Sequence, residues 1–515
     1  MKREGCMSTS KTGICINTEN CTLARQEKPI RLRSGQIEPC PECGVAVCVF
    51  EKKSIGAFKP ARLAAYATAL CAVFFVAIWV ISSPPAAATR SANAVAQKSD
   101  KMLRFAGSNT IGSELMPALA EAYMKQHGIT EVKRIQGASS DEVTLIDAKN
   151  PSPNTTIDIA SHGSTTAFIE LSKYSADIGM ASRKIKLGEV KTVTSLGDMT
   201  SPANEHILAL DGVAVIVNRN NAIRSLAKEQ IAAIFAGVIT DWVELGGRPG
   251  KITLYARDHK SGTFDTFQSL VLENLKLSEE ARRFEDSTLL SERVAQDESG
   301  IGFVGLPFVK NARALAVSER GTTPLLPNRL TIGTEDYPLA RRLYLYTPTA
   351  RENPHIRKFT DFVLSRAGQE IVKQYGFVEQ NLLLTKTNSL PDAPIEYTQL
   401  TSGAQRLTLN FRFLPGSHKL DNKAVRDIDR VIEFVENAKA ADKPIMLFGF
   451  SDALGDDSIN LKLSQDRAKA VADELTRRGV KLAHVIGYGA KLPVASNNSK
   501  EGRERNRRVE IWVKN

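Results

Sequence analysis

Residues 63–81 (LAAYATALCAVFFVAIWVI) form a 19-residue stretch without a charge. At about 1.5 Å per residue a helix of that length reaches ~28 Å, close to the thickness of one bilayer core. The stretch predicts a transmembrane helix, and it divides the chain into a short N-terminal part and a long C-terminal part. Lys52, Lys53, Lys59 and Arg62 crowd its N-terminal side, and the next charge is Arg90. The positive-inside rule then puts the N-terminus in the cytoplasm and exports everything after the span. Small residues at 86–88 and 92–94 would also suit a cleaved signal peptide. The apolar run is long and starts some 60 residues in, which favours an uncleaved signal anchor over 61–83.

Cysteine usage changes at the same place. Cys6, Cys15, Cys21, Cys40, Cys43 and Cys48 crowd the first 48 residues, Cys71 lies in the apolar run, and none lies beyond it. Cys15 with Cys21, and Cys40 with Cys43 in CPECG, make two close pairs. Four thiolates suit tetrahedral zinc, so residues 1–55 are expected to be a cytoplasmic zinc-ribbon-like segment with a structural zinc on Cys15, Cys21, Cys40 and Cys43. Free or disulfide-bonded thiols are the alternative, and a reducing compartment argues against disulfides.

A chain of 515 residues is too long for one compact domain. With 42% hydrophobic and 24% charged residues it is neither largely disordered nor a polytopic membrane protein. The formal charge of +11 sits at the two ends: 11 basic against 6 acidic groups over 1–62, and 21 against 15 over 404–515. The middle is neutral, and an excess split between remote ends is not a continuous phosphate-tracking face, so nucleic acid is not an expected partner. Residues 84–101 read as a flexible linker. Over 102–385 short β-branched runs alternate with helical patterns and Gly-rich turns, the pattern of α/β units. A polar segment with Pro391 and Pro394 marks a second linker, 386–403, before an α+β unit at 404–515.

Three Ser/Thr/Gly-rich segments stand at strand-to-helix junctions in the middle region: AGSNTIGS (106–113), HGSTTAF (162–168) and RDHKSGTFDTF (257–267). Each could present helix N-terminal N–H groups and hydroxyls to an anion without adding net charge, or simply cap a helix. Arg257 adds a bidentate donor. With SADIGMASR (175–183), LDGVAVIVN (210–218), EQIAAIFAGVITDW (229–242) and GIGFVGLPFV (300–309), these segments resemble the periplasmic phosphate-binding proteins of ABC importers. The resemblance implies two α/β lobes joined by crossing strands, with a dehydrated oxyanion in the cleft. Its contacts would fall on Thr110, the Ile111 backbone N–H, Ser164, Ser182, Arg257, Ser261, Gly262 and Thr263. Two positions depart from the pattern: Ser182 stands where the family places a carboxylate that accepts the phosphate's proton, and His259 where it places another carboxylate. Phosphate or a similar oxyanion is the expected ligand, and the departures put discrimination against sulfate in question.

In SINLKLSQDRAKAVADELTRRG a spacing of four puts Leu463, Arg467, Val471 and Leu475 on one helix face, so Arg467 lies on an apolar stripe. A buried guanidinium needs a carboxylate from the protein or from a ligand. Asp452 follows the strand-like run 445–450 and could be that partner; Arg467 could also snorkel to water. The segments GFSDALGDDSINLKLSQDRAKAV and GYGAKLPVASNNSKEGRERNRRVEI resemble the OmpA-like peptidoglycan-binding domain, over 407–513. The resemblance implies that Asp452 and Arg467 grip the diaminopimelate of a stem peptide, with Asn460, Asn506 and Arg508 shaping the pocket.

The expected whole is an inner-membrane, single-pass protein: a two-lobed α/β binding-protein fold, a C-terminal α+β OmpA-like domain, an N-terminal zinc ribbon and one membrane helix. It would bind an oxyanion and peptidoglycan in the periplasm for phosphate capture or sensing, with an ABC permease as a candidate partner. No metal cluster or Ser-His-Asp set is apparent, so no enzyme is expected. The alternative is a tether between membrane and cell wall whose central domain has lost or changed its ligand.

Overall fold

The computed structural model of the chain describes residues 100–515 except 140, 260, 351, 388–392, 414–416, 438–442 and 515, together with three short strands near the N-terminus. Two compact units divide between residues 93 and 94. In the first, strands Ile30–Leu32, Lys11–Cys15 and Val47–Phe50 form an antiparallel sheet in that order. Its register sets Cys48 opposite Ile14 and Cys15 opposite Val47. Cys6, Cys21, Cys40, Cys43 and the expected membrane span 61–83 lie outside the described residues, as does the linker up to residue 99. Among the described residues no helix is long and apolar enough to cross a membrane.

The second unit opens with parallel α/β layering. Strands Leu103–Gly107, Ile157–Ala160 and Ile178–Ala181 pair in parallel, with the hairpin Val132–Gln136 and Glu142–Asp147 at the edge. Parallel strands covered on both faces read as continuous apolar runs. These make the first lobe. The second lobe is built on Thr253–Arg257, parallel to both Arg282–Phe284 and Gly300–Gly305.

Two strands cross between the lobes. Glu205–Val217 is buried along its whole length. Through Val213–Val217 it pairs with the second-lobe strand Gly300–Gly305, and through Glu205–Gly212 with the returning strand Ala340–Tyr346, which in turn pairs with the first lobe. One sheet therefore runs through both lobes. Its register sets Arg341 directly opposite Asp211, so a charge from each crossing strand meets at the hinge.

The C-terminal domain is a five-stranded sheet in the order Leu384–Thr385, Ala404–Arg412, Arg508–Lys514, Ile445–Gly449, Leu482–Gly487. The last two are parallel and joined by the helix Asp457–Arg477, a βαβ crossover. The polar segment 386–403 departs from the expected linker. It contains the helix Ile395–Thr401, whose Tyr397 is buried and donates from its hydroxyl to Glu510 (2.8 Å). An aromatic anchor among polar neighbours is enough to tie the segment to the sheet, and the strand Leu384–Thr385 before it pairs with Ala404–Arg412.

This domain is docked on the crossing strands and touches both lobes. Beside the first lobe, Asn422 donates to Thr200 O (2.8 Å) and Glu205 (3.0 Å), and Arg426 donates to Pro202 O (3.1 Å) and His206 Nδ1 (2.6 Å). At the return of the hinge, Asp336 receives Arg406 (3.0 Å) and Asn410 (2.9 Å), while Arg342 reaches Glu335 (2.8 Å) and Asp421 (2.8 Å). Beyond the second lobe's sheet, Glu319 accepts the Ser496 N–H (2.7 Å) and pairs with Arg505. Burial would push the Glu335 carboxyl up, but Arg342, Lys423 and Arg412 outweigh it and hold the carboxyl at about 2.

Removing one partner of such a buried cluster strands the others. Asp336→Ala is expected to cost roughly 3–5 kcal/mol, read by urea unfolding through the fluorescence of buried Trp512.

His206 adds a pH term. A guanidinium can only donate, so Nδ1 accepts from Arg426 and Nε2–H donates to Thr347 (2.7 Å), which leaves the ring neutral. Burial first, and Arg426 second, hold it down at about 3. A folded-state value below the unfolded one means that this contribution is complete above about pH 6.5 and is lost as pH falls toward 3. Stability is expected to drop between pH 7 and pH 5, and to drop less in His206→Asn; equal slopes in the two proteins would refute the assignment.

Candidate functional site

The cleft forms where the three Ser/Thr/Gly segments meet the crossing strands. Gly107, at φ +137°, ends the first strand of the first lobe; a Cβ there would stand 2.0 Å from Met180 O, so only glycine turns the chain into the Asn109–Gly112 helix. Ser164 starts the helix Ser164–Ser172, and its Oγ lies 3.2 Å from Ser182 Oγ while accepting the Ser182 N–H (3.0 Å). From the second lobe, Ser261 caps the helix Gly262–Phe267 by accepting from Thr263 N (3.2 Å) and Phe264 N (3.4 Å). A Cβ on Gly262 would fall 2.1 Å from Ser182 Oγ and 3.3 Å from Ser164 Oγ. The lobes therefore meet at a glycine because no side chain fits there.

Thr110, Ser164, Ser182, Ser261, Gly262 and Thr263 are thus brought to one place, all but fully buried. Ile111 behaves differently from the expectation. Its N–H donates to Ser108 O (3.2 Å) within the first tight turn of a four-residue helix and is not left for a ligand. Two neighbouring hydroxyls that sequence reasoning passed over, Ser108 and Ser161, are buried with no hydrogen-bond partner among the described residues.

Arg257 is buried at the edge of this set. Its Nε donates to Phe284 O (3.2 Å), Nη2 to Glu285 O (2.6 Å) and Nη1 to Ser287. These bonds are to neutral groups, and the Asp258 carboxylate stands 3.8 Å away. Burial lowers the guanidinium's pKa, Asp258 opposes that, and the charge of Arg341 depresses it further. His259 is exposed, unlike the buried set.

Arg341 and Asp211 were not singled out from sequence. Arg341 Nε and Nη2 donate to Asp211 Oδ2 (2.9 and 2.6 Å), Nη1 donates to Gly262 O (3.0 Å), and Nη2 also reaches Thr110 Oγ1 (3.4 Å) and Thr263 Oγ1 (3.2 Å). The signal was present: Asp211 is a lone charge inside the apolar run ILALDGVAVIV, and Arg341 opens the segment RRLYLY. A charge in a run buried on both faces must find a partner.

A second constellation lies in the C-terminal domain. Arg467 is fully buried on the helix Asp457–Arg477. Its Nε donates to Ser417 O (3.3 Å) and Nη1 to Phe450 O (3.5 Å), the guanidinium lies 5.6 Å from the Phe413 ring, and Nη2 has no partner among the described residues. Burial and then Arg507 lower it to about 10, against the opposing charge of Asp452. Asp452 itself bonds Arg507 (2.9 Å) and the Leu454 N–H (3.0 Å). The pairing of Asp452 with Arg467 considered from sequence is thus replaced by a pair with Arg507, which sequence reasoning missed. Asn506 accepts Val494 N (2.9 Å) and Ala495 N (3.0 Å), Asn460 reaches Gly455 O (3.4 Å), and Arg508 binds Glu510 (2.9 Å) and lies 3.9 Å from the Phe450 ring.

A buried cation with an unmatched donor is costly to keep. Arg467→Met is expected to leave the ligand-free unfolding midpoint unchanged or raised while abolishing retention on isolated peptidoglycan; a lower midpoint with retention intact would refute this reading.

Residues 85–367 match the PBP superfamily domain and residues 412–507 match the OmpA family. The chain is 26% identical over 232 residues to the phosphate-binding protein PstS of Borreliella burgdorferi, covering 44% of this chain and 80% of that protein. It is 28% identical over 285 residues to the protein SphX of Synechococcus elongatus, covering 52% and 82%. At the C-terminus it is 47% identical over 74 residues to the peptidoglycan-binding protein ArfA of Mycobacterium tuberculosis, covering 14% and 23%. Among solved structures, an ABC-type phosphate transport receptor from Vibrio cholerae is similar at 24% identity with a TM-score of 0.42, covering 54% of this chain and 99% of that one.

Proposed function

The chain belongs to the PBP superfamily and carries an OmpA-family domain, and on that premise we propose that it is a periplasmic binding protein for phosphate or a similar oxyanion that also holds peptidoglycan. The observation that supports the first half is Arg257, a buried guanidinium bonded to neutral groups beside hydroxyls converging from both lobes. An oxyanion there would add to the partial compensation that Asp258 gives from 3.8 Å, and would accept from Ser164, Ser182, Ser261, Thr263 and Thr110. The relatives named phosphate-binding proteins support phosphate as the ligand.

The second half rests on Arg467 and on the relative named peptidoglycan-binding. A diaminopimelate carboxylate would meet the unmatched Nη2 of Arg467, and its ammonium would compete with Arg507 for Asp452. Holding the binding domain at the wall would capture or sense phosphate near the membrane, with hand-over to an ABC permease as one use. Residues 61–83 would anchor the chain in the inner membrane with the N-terminus in the cytoplasm. A structural zinc on Cys15, Cys21, Cys40 and Cys43 is part of the same proposal, because four thiolates suit that ion and Cys15 closes a strand of the small sheet.

The test is isothermal titration of phosphate into the purified full-length chain stripped of anion. Binding at micromolar or tighter affinity is expected, weakened about 100-fold in Arg257→Ala, the ratio for a lost buried charge-assisted contact of about 3 kcal/mol. No binding of either phosphate or sulfate would leave the tethering role as the surviving reading. The same preparation is expected to carry one zinc per chain by elemental analysis.

A further inference from the structure

Every contact made by the ion pair between the crossing strands bears on which anion the cleft accepts. Asp211 is completely buried. Its Oδ1 accepts the N–H groups of Gly212 (2.8 Å) and Leu306 (3.2 Å), and its Oδ2 accepts Nε and Nη2 of Arg341 (2.9 and 2.6 Å). A carboxylate offers about four lone-pair sites, so four donors saturate it. Among the described residues the one carboxylate bonded to Arg341 thus has no capacity left to accept a hydrogen bond from a ligand.

The hydroxyls are biased the same way. Arg341 Nη2 donates to both Thr110 Oγ1 and Thr263 Oγ1, one from each lobe. Nη2 has two hydrogens; one serves Asp211 and the other is shared between the two threonines, and because a guanidinium has no acceptor each threonine spends a lone pair on it and keeps its own proton to give. Ser261 Oγ already accepts two backbone N–H groups, and Ser164 Oγ accepts the Ser182 N–H. Other charges near the cleft are paired at its rim: Arg183 with Glu189 (2.7 Å) and Asp265 (3.8 Å), and Arg257 with Asp258 (3.8 Å).

We propose that the Arg341–Asp211 pair is a positioning element that turns Thr110 and Thr263 into proton donors, so that the cleft selects tetrahedral dianions by charge and shape rather than by the proton that distinguishes phosphate from sulfate. The proposal rests on the oxyanion reading of this cleft and narrows it. Phosphate binds as its dianion, with its residual O–H left to neutral hydroxyls such as Ser108 and Ser161, which donate as readily as they accept, and sulfate, which has no proton to place, is accepted as well. Arg341 does not supply the main anion contact. Its Nη1 and Nη2 are committed to Gly262 O, Thr266, Asp211 and the two threonines.

The experiment is titration of inorganic phosphate and of sulfate into the full-length chain at pH 6 and pH 8. Sulfate is expected to bind within about tenfold of phosphate at pH 8. Phosphate affinity is expected to rise from pH 6 to pH 8 as its dianion fraction grows, while sulfate affinity stays flat. In Arg341→Gln the hydroxyls are free to accept, and the sulfate-to-phosphate affinity ratio is expected to fall at least tenfold; Arg341→Lys, which still only donates, should recover part of it. If Arg341→Gln fails to fold, Thr263→Val serves instead, with both anions weakened and Thr263→Ser restoring them. Phosphate binding that excludes sulfate by more than 100-fold, or that is level between pH 6 and pH 8, overturns this inference and leaves phosphate binding standing. Failure of both anions at both pH values overturns the reading on which it rests.

Discussion

The Asp211–Arg341 ion pair is the interaction on which the rest of the binding domain depends. It lies in two strands that pass between the lobes, at a register position that sets the two residues opposite each other. Two charges taken out of water are costly unless saturated with hydrogen bonds. Here the carboxylate is saturated by backbone and guanidinium donors, and the guanidinium by groups from both lobes. The pair therefore specifies one arrangement of the hinge, and the Thr110 and Thr263 hydroxyls are oriented by it.

The C-terminal domain is held by the same kind of bond a short distance along the same strands. Arg341 faces the cleft, while Arg342, its neighbour on a strand whose side chains alternate, faces Glu335 and Asp421 beneath the docked domain. Anchors on Glu205 and His206 and on Glu319 place this domain against both lobes. The loop that donates to Glu319 through Ser496 also carries Asn497, whose side chain accepts from the N–H of Ala453, the residue after Asp452. Asp452 is thus linked through Ala453 and Asn497 to the residue that contacts the second lobe.

Both candidate sites use one strategy. Arg257 and Arg467 are each buried and each bonded to neutral oxygens, and both have lowered pKa values for which burial is the leading cause. Such a cation is expensive in the free protein, and a ligand anion recovers part of that cost on binding.

Sequence patterning determined the α/β character of the middle region and the terminal α+β unit, while the two lobes and the donor set were legible only through the resemblance to binding proteins. Hydrophobic periodicity and turn chemistry are local properties, and each Ser/Thr/Gly segment lies beside the strand end it extends. The burial of Arg467 was legible in its place on an apolar stripe. The partners were not. Whether Arg467 would meet Asp452, and whether Arg341 would meet Asp211, depended on which residues face each other across elements far apart in the chain, 130 residues in the second case. Only the register of the crossing strands decided that Arg341 should face a carboxylate and organise hydroxyls from both lobes. Only the tight first turn at Ser108 decided that the Ile111 N–H would be spent before a ligand arrived. The local pattern chooses which groups can donate and where the chain turns; the long-range pairing of strands decides which of those donors remain free, because a hydrogen bond made inside the fold is no longer available to an anion.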